Sequence, residues 1–181
     1  GNTSFYLKHY GPYHGLDLVR YSMRTPFTRT NYQLAHRLLL DGIRVVPHLG
    51  AILRRLLGPV SESTLATGVV PGAVTAIDWI RDHPPASARR AFGRVLADWL
   101  AGLHAAGIDP HDLKATNFLV TAESDGTPGI VLLDLDNCRL QRRTLTRRRR
   151  LRHFHHLFRS FQDSAALPEM LRFAAFYRRR L

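Results

Sequence analysis

One cysteine, Cys138, is all this chain contains, so no disulfide can form within it, and a cytosolic setting is the expectation. Standing beside an acidic motif, Cys138 reads as a small packed residue rather than a nucleophile. No apolar run approaches the roughly 20 residues that a membrane-spanning helix needs, and no signal-peptide pattern opens the sequence. Internal repeats and low-complexity linkers are missing too, apart from runs of arginine. Acidic side chains are few: 14 Asp and Glu stand against 26 Lys and Arg, which leaves a net charge of +12. An excess of that size points to an anionic partner, and nucleic acid, anionic lipid and a phosphorylated saccharide would each suit it. The chain also starts at Gly1 rather than Met, with a strand-like segment already under way. A fragment, a processed chain or a tag remnant is therefore expected.

What is present is a globular composition, 45% hydrophobic and 22% charged over 181 residues, enough for one or two small domains. Ser4 to Tyr10 reads as a short strand, with Lys8 among apolar and aromatic neighbours. Residues 11–27, rich in Gly, Pro and Tyr, read as a loop. Residues 28–41 have helical spacing, with Leu34, Ala35, Leu38 and Leu39 forming an apolar face and Gly42 as the stop. Arg44 to Val46 and Ser63 to Val70 read as strands, while Ala51 to Leu57 is ambiguous. Pro71-Gly72 then breaks the chain into two lobes, 1–71 and 72–181. Past it, Ile77 to Arg81 opens a short helix. Residues 87–106 form the clearest helix, with Phe92, Val95, Leu96, Trp99, Leu100 and Leu103 recurring on one side. A basic helix is expected over 144–162 and a last helix from Pro168 onward.

The chemistry concentrates where the clearest helix ends. His111-Asp112-Leu113-Lys114-Ala115-Thr116-Asn117 precedes two apolar strands, 118–122 and 129–134, joined by the turn Glu123 to Pro128, and the second strand ends in Asp134. Alone, Asp112 would be a cap or turn residue, Asn117 a turn residue and Asp134 a strand-end carboxylate. The ordered set is how a kinase-type phosphotransferase lays out its base and metal ligands. Asp112 falls where a carboxylate orients the attacking hydroxyl. Asn117 and Asp134 supply the oxygen donors that hard cations such as Mg²⁺ take. The hairpin should bring those two to the same end of the strand pair, and Lys114 could touch the transferred phosphate. His153, His155 and His156 hint at a metal, but no matching carboxylate or cysteine cluster accompanies them. Arg142, Arg143, Arg147 to Arg150 and Arg152 crowd one segment, and Arg178 to Arg180 close the chain.

Leu103-His104-Ala105-Ala106-Gly107-Ile108, the run from His111 to Leu119, and Leu132-Leu133-Asp134-Leu135-Asp136 together resemble the lipopolysaccharide core kinases, bacterial enzymes that phosphorylate heptose or 3-deoxy-manno-octulosonic acid (Kdo) sugars. Leu38 to Ile43 and the basic segment are also similar, so the resemblance runs from Lys8 to the C-terminal helix. It implies an α+β, two-lobed protein-kinase-like fold: a truncated small N-lobe over 1–71, lacking its glycine-rich loop, and a mainly helical C-lobe over 72–181 carrying the catalytic and metal-binding loops. It implies ATP and Mg²⁺ as cofactors, with Asp112 and Lys114 catalytic, Lys8 on the nucleotide phosphates, and Asn117 and Asp134 on the metal. The expected partners are an anionic glycolipid or saccharide acceptor and an anionic inner-membrane surface, met by the arginine-rich helix from the cytoplasmic side; nucleic acid is not expected. Three positions depart from the pattern. Only Gly1 to Ser4 precede the Lys8 strand, and Pro110 stands where a histidine is usual, with His111 shifted one place. No glutamate faces Lys8; Asn31 or Gln33 occupies its place. A catalytically weak pseudokinase or membrane-associated scaffold, and a protein Ser/Thr kinase, are the alternative readings.

Overall fold

The computed structural model describes residues 4–22, 26–82, 84–136, 138–165 and 167–180. The chain divides into two compact units, Gly1–Pro71 and Gly72–Leu181.

In the first unit, β1 (Phe5–Tyr10), β2 (His48–Arg55) and β3 (Val60–Gly68) form an antiparallel sheet in the order β1-β3-β2. The β2–β3 hairpin closes through Leu57 and Gly58, both at positive φ, and Leu56 N donates to Pro59 O at 2.8 Å. Helix α1 spans Gly15–Ser22, where a loop was expected. The breakers there stand at its two ends, Gly11, Pro12 and Gly15 before and Pro26 after, so the stretch between is free to coil, with Asp17 near the positive end of the helix dipole. Helix α2 (Phe27–Leu40) buries Thr28, Asn31, Leu34, Ala35 and Leu38 along one stripe and packs on β2 and β3. It stops at Gly42, whose φ of 76° lets Ile43 N reach back to Leu38 O at 2.8 Å. The ambiguous stretch after Gly50 is strand β2, irregular at Arg54/Arg55. Arg44 to Val46 gives only an isolated bridge at Val45, because Pro47 cannot donate to a ladder.

The second unit runs β4 (Val74–Thr75), α3 (Ala76–Arg81), α4 (Ala86–Ala105), β5 (Ile108–Pro110), a 3₁₀ turn (Ala115–Asn117), β6 (Phe118–Ala122), β7 (Pro128–Leu132), β8 (Cys138–Leu140), α5 (Arg147–Phe161) and α6 (Leu167–Arg178). Strands pair as β4-β6-β7 and β5-β8. Thr75 caps α3 by accepting from Asp78 N. Helix α4 is the spine: Phe92, Leu96, Ala97, Leu100, Leu103 and His104 are buried at helical spacing, against β7 on one side and α6 on the other. Rings bind the unit together, Phe92 meeting Trp79 and Phe161, and Phe118 meeting Trp99 and Phe161. Gly107 ends α4 at a φ of 73°. A side chain there would put Cβ 2.7 Å from Gln141 O and 2.8 Å from Arg143 O, so only glycine lets the 141–143 segment pass. That passage aligns β8 with β5 and sets the start of the loop that follows. Among the described residues no helix is long and apolar enough to cross a membrane.

Candidate active site

Strand β5 is wholly buried and hands the chain to His111 and Asp112. Leu113 and Ala115 are buried anchors of the next turn, which leaves Asp112 and Lys114 facing outward between them. Lys114 N donates to Asp112 O at 3.1 Å and Lys114 Nζ to Asp112 Oδ2 at 2.8 Å. Asn117 Nδ2 donates to Asp112 O at 2.8 Å. That bond fixes the amide, committing its nitrogen inward and assigning the oxygen to the other side. Leu133 N donates to Asn117 O at 2.9 Å, extending the β6–β7 ladder by one step beyond the Phe118–Leu132 pair. The hairpin therefore sets Asn117 and Asp134 at one end of the strand pair, where both line a small pocket with Asp112. Asp136 N donates to Asp134 Oδ1 at 3.0 Å and steadies that carboxylate. An amide oxygen and a carboxylate a strand apart are hard donors of the kind a divalent cation takes, so the residues present fit Mg²⁺. Cys138 is buried at the same pocket, and burial, with Asp134, Asp109 and Asp136 nearby, pushes its thiol up to about 12. It is inert as a nucleophile.

Behind this loop lies a polar chain that the sequence did not reveal. Asp109 is fully buried. Its carboxylate accepts from Arg152 at 2.7 Å and His153 Nε2 at 2.9 Å, with Arg149 at 3.3 Å and His111 at 3.6 Å. Burial would raise its pKa, but the His153 hydrogen bond and the charge of Arg152 outweigh it and hold the group below the usual carboxylate value. His153 Nδ1 meets His104 Nε2 at 2.8 Å, and His104 Nδ1 meets the Tyr177 hydroxyl at 2.6 Å. Burial lowers the pKa of both histidines, that of His104 to about 3, with repulsion from His153 and Arg150 adding to it. Two neutral rings ending on a carboxylate allow one direction of donation: Tyr177 O–H to His104, His104 N–H to His153, His153 N–H to Asp109. Both ring nitrogens of each histidine and the Tyr177 hydroxyl are engaged that way, while Asp109 Oδ2 is left to the ion-pair approaches of Arg149 and His111. A signal was available in Ile108-Asp109-Pro110, since an acid enclosed by apolar residues demands partners, but their identity was not.

The histidine triplet divides accordingly. His153 is buried in this chain, and His155 and His156 sit elsewhere on α5. Among the described residues no group of three His, Cys, Asp or Glu converges on a metal site. The arginine cluster divides as well: Arg149 and Arg152 turn onto Asp109 and Arg150 Nε donates to Leu145 O, while Arg142, Arg143, Arg147 and Arg148 stay exposed. Arg180 pairs with Asp98. Asp112, Lys114, Asn117 and Asp134 thus gather in the second unit, and Lys8 belongs to the first. There Lys8 stands opposite Leu65 in the β1–β3 register, on the face that buries Ser63 and Leu65, with Nζ 5.7 Å from the Tyr10 ring centroid. Of the two amides expected near it, Asn31 is buried and Gln33 exposed.

Residues 5–177 match the family described as lipopolysaccharide kinase (Kdo/WaaP). A search of curated proteins returns no match. Among solved structures, one described as WaaP in complex with acyl carrier protein superposes with a TM-score of 0.70 at 22% identity, over 85% of this chain and 67% of that one. That likeness establishes the mixed helix-and-sheet, kinase-like fold. Since the family match runs from β1 to α6 and takes in both units, this chain belongs to the lipopolysaccharide kinase (Kdo/WaaP) family, phosphotransferases that act on a sugar hydroxyl.

Proposed function

We propose that this chain transfers the γ-phosphoryl group of ATP to a hydroxyl of an inner-core lipopolysaccharide sugar, heptose or Kdo, at the cytoplasmic face of the inner membrane. The observation that carries the roles is the convergence of Asp112, Asn117 and Asp134 on one pocket, with the Asn117 amide nitrogen already committed to the Asp112 carbonyl. Asp112 orients the attacking hydroxyl and takes its proton. Asn117 Oδ1 and the Asp134 carboxylate hold Mg²⁺, which when bound neutralises charge on the phosphates. Lys114, paired to Asp112, meets the phosphoryl group in transit, and Lys8 holds the nucleotide phosphates. Four exposed arginines, Arg142, Arg143, Arg147 and Arg148, support peripheral attachment. Each basic residue near an anionic bilayer contributes about 1 kcal/mol.

A second reading, a slow or silent relative, is favoured by helix α2, which buries Asn31 and carries no Asp or Glu along its length. The test is transfer of label from γ-labelled ATP, with Mg²⁺, to dephosphorylated lipid A–core saccharide. Asp112→Asn should lower the rate by about 10²- to 10⁴-fold, and Asp134→Asn should abolish Mg²⁺-dependent turnover. Full activity in either variant removes its assignment. ATP binding with no transfer to any sugar would point to another acceptor, and neither binding nor transfer would favour the second reading.

A further inference from the structure

We propose that a cleft beside Asp112 reads an anionic group, phosphate or carboxylate, next to the accepting hydroxyl of the sugar, through His155, His156 and Arg159 on the wall opposite Lys114. The inference rests on the role given to Asp112 above and adds which acceptors that site prefers.

The cleft has a volume of about 430 Å³, within the range of roughly 300–1,000 Å³ that small-molecule sites occupy. Asp112 lines both this cleft and the small pocket of Asn117 and Asp134. Its carboxylate is therefore the partition: metal ligands lie on one side, and the larger space through which a hydroxyl can approach lies on the other. The far wall is one turn of α5, where His155 and Arg159 are four residues apart and share a face, as do His156 and Ser160. On earlier turns of the same helix Arg149 and Arg152 are engaged by Asp109, while Arg147 and Arg148 are exposed away from the cleft lining. Among the described residues, by contrast, no carboxylate pairs with Arg159 or His156, and Asp112, bridged to Lys114, is the only acid lining the cleft.

The two walls are held at a fixed separation. Ser160 Oγ accepts from Ala115 N at 3.0 Å and donates to Leu157 O at 2.8 Å, tying α5 to the turn that begins just after Lys114. Basic side chains around a cavity favour a ligand that brings negative charge, since each can then make a charge-assisted hydrogen bond. A neutral sugar offers them only hydroxyl acceptors, which bind a charged donor less strongly than an anion does. The wall thus selects acceptors by charge.

The test is steady-state transfer by the full chain with Mg²⁺ and ATP to three matched heptose acceptors: one beside a phosphomonoester, one beside a Kdo carboxylate, one beside a neutral sugar. At least one charged acceptor should exceed the neutral one in kcat/KM by about tenfold or more, the scale of one hydrogen bond to a charged group; which one leads distinguishes phosphate from carboxylate. Arg159→Gln and His156→Gln should erase that preference through the acceptor KM, and calorimetric binding of the same saccharides should show the same loss without turnover. Arg159 is exposed, so its replacement leaves the core intact. Equal kcat/KM for all three acceptors overturns the proposal. So does an Arg159→Gln variant that raises the KM for ATP instead. Asp112→Asn run alongside separates the failures. If that variant retains transfer, the role of Asp112 falls and this inference with it. If it is inactive while Arg159→Gln keeps the charge preference, only the inference falls.

Discussion

Replacing Asp109 with alanine removes the one carboxylate on which Arg152, His153, Arg149 and His111 all converge. Removing one member of a buried ion pair costs about 3–5 kcal/mol, because the abandoned partners stay behind. Arg149 and Arg152 are 39% and 38% exposed, so water recovers part of the loss. The lower end, about 3 kcal/mol, is the expected value. In a chain of this length each kcal/mol moves the unfolding midpoint by about 2–4 °C, so a fall of about 6–12 °C follows. Asp109→Asn keeps an acceptor for His153 Nε2–H but loses the charge and puts an NH2 donor toward Arg149 and His111, so its fall should be smaller than that of alanine but still measurable. Far-UV circular dichroism melts of parent, alanine and asparagine variants at neutral pH provide the measurement. An alanine variant melting within about 2 °C of the parent would refute the reasoning, since that is the scale of a surface substitution. Asparagine as damaging as alanine would show that the charge, rather than a neutral acceptor, is what holds the loop.

Acid should weaken the same region. His104 is neutral in the folded chain with its pKa near 3, whereas the unfolded chain protonates it below about 6.5. Below that value the unfolded state binds more protons, so stability falls as pH drops from 6.5 toward 3, by up to about 1.4 kcal/mol per pH unit. Melts at about pH 5 and about pH 7 check this, with a shallower dependence expected in His104→Gln. Ser160→Ala leaves the N–H of buried Ala115 without its acceptor and should cost about 1–3 kcal/mol in urea unfolding; an unchanged midpoint would show that α5 and the turn are held otherwise. Cys138, buried and with its thiol pushed up to about 12, should resist iodoacetamide in the native protein and react on unfolding. Rapid native labelling would contradict its placement.

Asp112, Asn117 and Asp134 were readable in the sequence because a short turn and a hairpin separate them, and local spacing decides where such residues end up. The stripe of α4 and the Gly42 stop were readable for the same reason. Asp109 was not, since its chain joins residues 44, 49 and 73 positions apart, which only tertiary folding brings together. The arginine segment divides for a related reason. Its residues crowd one stretch of sequence, yet Arg149 and Arg152 turn onto the buried Asp109, a partner that spacing alone does not reveal. Helix α1 escaped notice because glycine and proline just before it dominate a composition-based reading, and β2 stayed ambiguous because its arginines and bulges blur the alternation.

Protein synthesis runs in one direction, and the chain of donors behind Asp112 closes only when its last member, Tyr177, arrives. The 73 positions between His104 and Tyr177 take roughly 4–15 s to translate at about 5–20 residues per second. Throughout that interval His104 lacks its hydroxyl donor, and the face of α4 that α6 will cover lies bare. A growing polypeptide can therefore carry every residue of the Asp112 loop, and even the α5 side chains that brace Asp109, before the buried line of donors behind them is complete.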